Sequence, residues 1–323
     1  MTGANKTLPD KGFELTWCEY QNLLLSESVQ QAYHHWTAEQ VLAAMTLGAV
    51  RVNGDVQYQD IQLQPADHVS LFLPEHQEDP VDTGWKLLWK TNELMAVHKP
   101  AGLPVSRTTR NLFDTLISMV RRATEYKDAH LLHRLDAETS GVILLANHEH
   151  ADKRWKKKLD RLLQKKIYHA LVWGNPGWDT TECECYLAEK ADSPIRTQMH
   201  VTGEHDDNAI KAPKLARTGF RVLKRFNGYA LVECELFSGR KHQIRAQLAH
   251  LGHAIIGDKI YSHDGRFYLK RLQQDLAASD IAALGATHHL LHAWRVEVDC
   301  GYEQTVITDD DYPAEFQRYL HQP

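Results

Sequence analysis

Two short segments of this chain concentrate side chains able to do chemistry. In His133-Arg134-Leu135-Asp136-Ala137-Glu138-Thr139-Ser140-Gly141, one carboxylate, Asp136, lies between an arginine and a Thr-Ser-Gly turn, directly ahead of the apolar run Val142-Ile143-Leu144-Leu145-Ala146. A carboxylate taken out of water is pushed toward its neutral form unless a cation offsets the loss. Farther along, Gly239-Arg240-Lys241-His242-Gln243-Ile244-Arg245 supplies two guanidinium groups within one stretch. The ordinary job of an aspartate before Thr-Ser-Gly is to cap the turn, and Arg245 could equally be a surface charge on a helix beginning at Gln243.

Other chemistries lack their residues. The chain has no H-E-x-x-H helix, no G-x-x-x-x-G-K-[ST] loop and no G-x-S-x-G turn. Its 20 histidines are scattered, and the pairs His34-His35 and His288-His289 are expected to point their rings apart, so no metal site is expected. A hydrolase with paired carboxylates would need a second acid that no motif supplies.

The frame around these segments is an ordinary globular one. With 323 residues and 43% hydrophobic content, the chain is long enough for one large domain, or one large and one small. No apolar run reaches the length of a membrane span. The polar start Met1–Lys11 lacks the features of a signal or transit peptide, so the expected location is the cytoplasm. The five cysteines are an odd number, and reduced, structural roles are expected for them; Cys183 and Cys185, on a presumptive strand, are expected to face opposite ways.

The formal net charge of -5 conceals a sorted distribution, since residues 91–270 carry 29 Lys and Arg against 21 Asp and Glu. The basic run holds Lys153, Arg154, Lys156, Lys157, Lys158, Arg161, Lys165 and Lys166, with Asp160 its one acid. Such a run is either the solvated face of a helix or a surface that meets nucleic-acid phosphates.

The elements that must position these residues read as three parts. Residues about 12 to 78 form a small α+β module with a helix around Ala38–Met45 and a Val50-Arg51-Val52 strand; Asn53-Gly54 then predicts a tight hairpin turn. The polar segment Pro74–Pro80 reads as a linker. From Trp85 the pattern becomes strands with amphipathic helices between them. Leu87-Leu88-Trp89 and Leu94–Val97 read as paired strands, and Leu112, Leu116, Met119 and Val120 as a helical stripe. Further strands are expected at 141–147, 167–173, 217–226, 229–237, 289–298 and 303–308. Many sequential strands with few helices predict an α+β sheet, not a doubly wound parallel one.

Together the two motif segments resemble the RluA-type pseudouridine synthase family, whose signatures read H-R-L-D-x-x-T-S-G and G-R-x-H-Q-I-R, over about residues 85 to 308. The segment Gly257-Asp258-Lys259-Ile260-Tyr261 resembles the family's G-D-x-x-Y. The segment His98-Lys99-Pro100-Ala101-Gly102 resembles its [DN]-K-P-x-G, with His98 departing at the first position; Lys241 departs from the commoner threonine. Residues 12–78 resemble the C-terminal half of an α-L-type RNA-binding domain, although Gln30–Trp36 stands where a basic first helix is usual. The resemblance implies a module at 1–80 and a catalytic domain at 81–323 built on a long, mostly antiparallel bent sheet, with flanking helices and a central active-site cleft.

The implied activity is isomerisation of uridine to pseudouridine in structured RNA, ribosomal or transfer, by an enzyme for which a monomer suffices. Asp136 matches the catalytic aspartate, Arg245 the arginine that pairs with it, and Tyr168 the tyrosine whose ring lies against the uracil and whose hydroxyl takes or relays a ribose proton. Stacked or paired uridine must be flipped out for chemistry at C1′ and C5, and Arg134 matches the residue that fills the gap. Arg240 and Gln243 shape the cleft and contact RNA, while Lys156, Lys157 and Lys158 are candidates for phosphate contact. The reaction changes no oxidation state, so no cofactor is implied. The alternative is a catalytically inactive RNA-binding or ribosome-assembly factor on the same fold.

Overall fold

A computed structural model describes residues 12–33, 36–74, 78, 80–108 and 111–322. The N-terminal stretch Met1–Lys11, the pair His34-His35 and much of the Pro74–Pro80 segment lie outside the described residues. The chain divides into two compact units, Met1–Pro80 with Arg107–Phe113, and Val81–Ser106 with Asp114–Pro323.

The smaller unit contains β1 (Gly12–Cys18), α1 (Leu25–Ala32), α2 (Ala38–Thr46), β2 (Val50–Val52), β3 (Asp55–Val56) and β4 (His68–Pro74). The strands make a sheet of order β1-β4-β2-β3. Thr37 starts α2, its hydroxyl accepting from the Gln40 N–H while Gln40 returns a bond to the Thr37 N–H, which satisfies two donors that a helix start leaves free. Leu25 and Val29 of α1 and Val41 and Met45 of α2 recur at helical spacing and are buried with Leu15, Val50, Leu63 and Leu71. The Asn53-Gly54 turn takes the expected positive φ values of 53° and 92°. Leu112 belongs to this core. It does not extend the helical stripe expected with Leu116, because that helix begins only at Leu116.

The larger unit follows in the order β5 (Lys86–Lys90), β6 (Leu94–Lys99), α3 (Leu116–Ala123), β7 (His130–Leu131), β8 (Ser140–Ala146), α4 (Glu149–Lys156), α5 (Leu159–Leu162), β9 (Leu163–Trp173), β10 (Thr180–Ala188), β11 (His200–Thr202), β12 (Lys214–Arg225), β13 (Tyr229–Leu236), α6 (Gln243–His250), α7 (Arg266–Arg271), α8 (Ala278–Leu284), β14 (Leu291–Asp299), β15 (Gln304–Thr308) and α9 (Ala314–Leu320). Its strands form one sheet with a main path β11-β10-β12-β13-β9-β14-β8-β6-β5, β15 pairing with β14 and β7 with β8. The fold is thus α+β, dominated by a large sheet with flanking helices. Every pairing is antiparallel except β14 with β8, which is parallel over His292↔Ser140 and Ala293↔Gly141.

That short parallel contact lies mid-sheet, directly after the Asp136 segment, and glycine makes it possible. Gly141 has φ 107°, and a Cβ there would stand 2.3 Å from the Ala293 carbonyl oxygen. On β10, Cys183 and Cys185 do not face opposite ways as expected. A strand alternates faces every residue, so positions two apart share a face; their thiols interact, and Gln247 Nε2 donates to Cys185 Sγ at 3.4 Å.

Gly141→Ala should separate β8 from β14 and cost more than about 2 kcal/mol of stability. Chemical denaturation checks this, and an alanine variant as stable as the parent would contradict the close approach.

Candidate active site

Helix α6 is entered through His242, which takes the left-handed conformation at φ 53°. The helix then turns Arg245 into the protein, where the side chain is only 6% exposed. The guanidinium lies between two carboxylates. Nη1 donates to Asp136 Oδ2 at 2.7 Å, while Nε and Nη2 donate to Asp258 Oδ2 and Oδ1 at 2.7 and 3.0 Å. Asp258 Oδ1 also accepts from the backbone N–H groups of Ile260 and Tyr261, and the Tyr261 ring lies 5.2 Å from the guanidinium carbon. Burial, the largest single influence, pushes the Asp136 carboxyl up, but the Arg245 charge and hydrogen bond, together with the fields of His242 and His289, outweigh it and hold the group down to about 2. Asp136 is therefore ionised at neutral pH.

The Asp136 turn is fixed from beneath by Lys99, a fully buried lysine. Its ammonium donates to the carbonyls of Pro100 (2.8 Å), Leu103 (2.9 Å) and Ala137 (2.8 Å). Burial pushes Lys99 down to about 7, with Asp136 and Glu138 acting in the opposite direction. Three carbonyl acceptors match the three donors that only the protonated form carries. His242 Nε2 stands 3.8 Å from Asp136, and burial holds this imidazole down to about 4, hence neutral at pH 7. The Tyr261 hydroxyl accepts from Met199 N–H at 2.8 Å and lies 3.1 Å from His242 Nδ1.

Tyr168 is on β9, opposite Ala293 of β14 and Cys234 of β13. Its phenol is pushed far up by burial first and by the Asp136 carboxylate second, which places tyrosine and carboxylate in one field and keeps the tyrosine protonated. Arg134 and Arg240 are exposed. Arg134 has no ion-pair partner among the described residues, and Arg240 Nε donates to the Leu215 carbonyl at 3.0 Å. Gln243, expected to contact RNA, is instead turned inward and 3% exposed. Its amide accepts from Ser238 Oγ and Arg240 N–H and donates to the Arg217 carbonyl and Thr218 Oγ1, so it braces the loop that presents Arg240.

The basic run is less free than its sequence suggests. Lys153 pairs with Glu149 at 2.7 Å, Arg154 with Glu93 at 2.9 Å and Lys156 with Asp152 at 2.9 Å. Lys157 and Lys158 are exposed and have no such partner among the described residues. No cluster of three or more His, Cys, Asp and Glu able to hold a metal ion occurs among the described residues.

Comparison with known proteins gives the family. The family model for RNA pseudouridylate synthases matches residues 93–250, which include the Asp136 and Arg245 segments. The dual-specificity RNA pseudouridine synthase RluA of Vibrio vulnificus is 30% identical over 227 residues, covering 68% of this chain and 86% of that protein. The chain belongs to the RluA-type pseudouridine synthase family. Ribosomal large subunit pseudouridine synthase D of Nitrosomonas europaea is also 30% identical, over 233 residues, 69% of this chain and 60% of that protein. Among solved structures, human RNA pseudouridylate synthase domain containing 4 matches with a TM-score of 0.55 and 26% identity, covering 73% of this chain and 91% of that one.

As a member, the chain is an RNA pseudouridine synthase, an isomerase that acts on RNA. Sequence reasoning about this synthase did not single out Lys99 or Asp258 as site residues, although both fall in segments that match the family. The available signal was a lysine followed by Pro-Ala-Gly and an aspartate flanked by Gly257 and Lys259. Neither segment says by itself that its charge is fully buried and aimed at the Asp136 turn or at Arg245.

Arg245→Met should raise the Asp136 pKa from about 2 to at least its ordinary value, because burial persists while the compensating charge is gone. It should also cost about 3–5 kcal/mol, since Asp258 is left buried and unpaired. A carboxyl-carbon NMR titration and a denaturant melt check these; an unmoved titration would show that Arg245 does not control Asp136.

Proposed function

We propose that this synthase isomerises specific uridines in structured RNA, ribosomal or transfer, with Asp136 as its catalytic carboxylate. The observation that carries the proposal is an asymmetry of exposure. In the Asp136–Arg245–Asp258 chain the side chains are 29%, 6% and 0% exposed, so an ionised acid is anchored from behind and open in front. One relative is named for the ribosomal large subunit, which supports ribosomal RNA as a candidate, and another is named for dual specificity, which supports more than one RNA target.

The isomerisation breaks the N1–C1′ bond of uridine, turns the uracil within the site and joins C5 to C1′; C5 loses its proton and N1 gains one. C1′ is electron-poor while the base is detached. An ionised carboxylate stabilises it electrostatically or by a transient covalent bond. Arg245 keeps Asp136 anionic without competing for the open side. Tyr168, held protonated, offers its ring to the uracil and a hydroxyl that donates; accepting a ribose proton would require it to pass its own proton on. Exposed Arg134 is placed two residues before Asp136 to stack where the flipped base was, and Arg240 supplies a second cation at the rim.

For RNA attachment, the free cations Lys157 and Lys158 are better phosphate candidates than Lys156, whose charge Asp152 shares. The smaller unit is read as an α-L-like module that refines the choice of RNA. Its α1 carries Glu27 and no basic residue in its last turn, so the electrostatic attraction falls to the larger unit.

Tritium release from C5-labelled total RNA of a strain lacking the gene, without release of free uracil, tests the activity. Asp136→Asn should fold normally and slow single-turnover release by on the order of a thousandfold. Retention of a tenth or more of the rate would move catalysis elsewhere, and no release even by the parent protein would favour an inactive RNA-binding or ribosome-assembly factor. Changing Lys157 and Lys158 to Gln should reduce the slope of log K against log salt by about one unit per lost phosphate contact. Lys156→Gln should change it less, and an equal effect would mean that the Asp152 pair dissolves when RNA binds.

A further inference from the structure

Glu138 is a second acid on the Asp136 turn, and nothing in the reaction uses it. Its side chain points into the protein, 19% exposed, and meets Lys259 Nζ at 2.8 Å and Arg271 Nη1 at 3.3 Å on Oε1. On Oε2 it accepts the His289 backbone N–H at 3.2 Å. Lys259 is 7% exposed and also donates to the Thr287 carbonyl. The lysine adjoins Asp258, the residue that grips Arg245. The turn bearing Asp136 and the turn bearing Asp258 are therefore joined twice, through Asp136–Arg245–Asp258 and through Glu138–Lys259. Thr139 Oγ1, 2.8 Å from His289 Nε2, ties the same turn to the approach to β14.

Exposed ion pairs contribute little to stability because water screens them and flexible side chains must be ordered. This pair is mostly buried and further tied, Glu138 by Arg271 and the His289 N–H and Lys259 by the Thr287 carbonyl, so the loss of either partner strands a charge. We propose that Glu138 and Lys259 are a positioning pair for the isomerisation, holding the Asp136 turn against the Asp258 turn so that Asp136 meets Arg245 through one oxygen and keeps the other for the substrate. The proposal rests on Asp136 being the catalytic carboxylate.

Charge distinguishes such a pair from inert packing. The groups around Asp136 and Glu138 are Arg245 and His242 of α6; Asp258, Lys259 and Tyr261 of the following turn; His288 and His289 before β14; Arg271 of α7; Lys99 of β6; and Tyr168 of β9. Burial holds His242 down to about 4 and His289 to about 3, and lowers His288 as well. The carboxylates Asp136, Glu138 and Asp258 are thus balanced by Arg245, Lys259 and Lys99, with Arg271 at the edge. Removing Lys259 alone leaves Glu138 only the half-exposed Arg271 as a counter-charge, two residues from Asp136, so ionising Asp136 requires a higher pH. Removing both charges restores the balance without restoring the brace.

Single-turnover tritium release from C5-labelled total RNA of a strain lacking the gene, measured across pH, tests this. Lys259→Met should slow release at least about tenfold at saturating enzyme, with RNA affinity changed less than about twofold. Its acid limb should move up by about one pH unit. Glu138→Gln should be slowed with its acid limb unmoved or lower, the double variant should recover the parental acid limb while staying slow, and Lys259→Arg should retain most of the rate. A parental rate for Lys259→Met, or a slower rate with an unmoved acid limb, would overturn the proposal. If Lys259→Met does not fold, the near-isosteric Glu138→Gln decides, a parental rate overturning the proposal. Activity retained by Asp136→Asn would instead refute the catalytic reading, whereas an inactive Asp136→Asn beside parental Glu138 and Lys259 variants would refute the positioning pair alone.

Discussion

A guanidinium buried between two carboxylates is the interaction on which the rest of the site depends. Taking Arg245, Asp136 and Asp258 out of water is expensive, and their mutual attraction offsets that cost only with near-ideal geometry and with the remaining donors and acceptors occupied. The surroundings meet these conditions at the Asp258 end. Asp258 takes two guanidinium donors and two backbone N–H groups, which makes it the fixed end of the chain. Its turn is possible because Gly257, at φ 82°, would with any Cβ stand 2.1 Å from the His288 carbonyl oxygen. Asp136 receives only one of the guanidinium donors, and so it is the end with capacity left for a substrate.

The sheet brings these groups together from distant parts of the chain. Ala293 of β14 pairs with Gly141 on one side and Tyr168 on the other, so a single residue of the central strand sets the Asp136 turn and the tyrosine strand in register. The parallel contact of β8 with β14 leaves one edge of β14 shared, β8 taking its start and β15 its end. Lys99 leaves the end of β6, which pairs with β8 through Lys99↔Gly141. Gly141 is thus the meeting point of β6, β8 and β14, and a side chain at that point would part the strands that locate the acid.

Much of this was legible in the chain. Asp136 and Arg245 lie in long motifs, the apolar runs 94–97 and 142–146 announce strands covered on both faces, and Asn53-Gly54 announces its turn. What escaped reading depended on geometry that one-dimensional spacing does not carry. Gln243 follows Arg240 and Lys241 and looks like an RNA contact, but the left-handed His242 rotates the start of α6 so that the amide faces inward. The cations of α4, Lys153, Arg154 and Lys156, look free because their partners Glu149, Glu93 and Asp152 lie outside the run. Cys183 and Cys185 were placed on opposite faces although a strand returns to the same face every second residue. Leu112 fits the period of a helix that starts four residues later.

An acidic chain that acts on RNA and presents an ionised carboxylate at its candidate site must solve an electrostatic conflict. Asp136 must stay ionised while facing a polyanion, and the fold separates the two requirements by depth. The charge that keeps Asp136 ionised, Arg245, is buried, where water and salt screen it little. Arg134 and Arg240, by contrast, are exposed and lack carboxylate partners among the described residues. Had Arg245 been exposed, it would have been shared with the RNA backbone and lost to Asp136 on substrate binding. Because Asp258 holds it from the interior, the acid keeps its counter-charge whether or not RNA is present, and binding can be strengthened or weakened at the rim without altering the ionisation on which the chemistry relies.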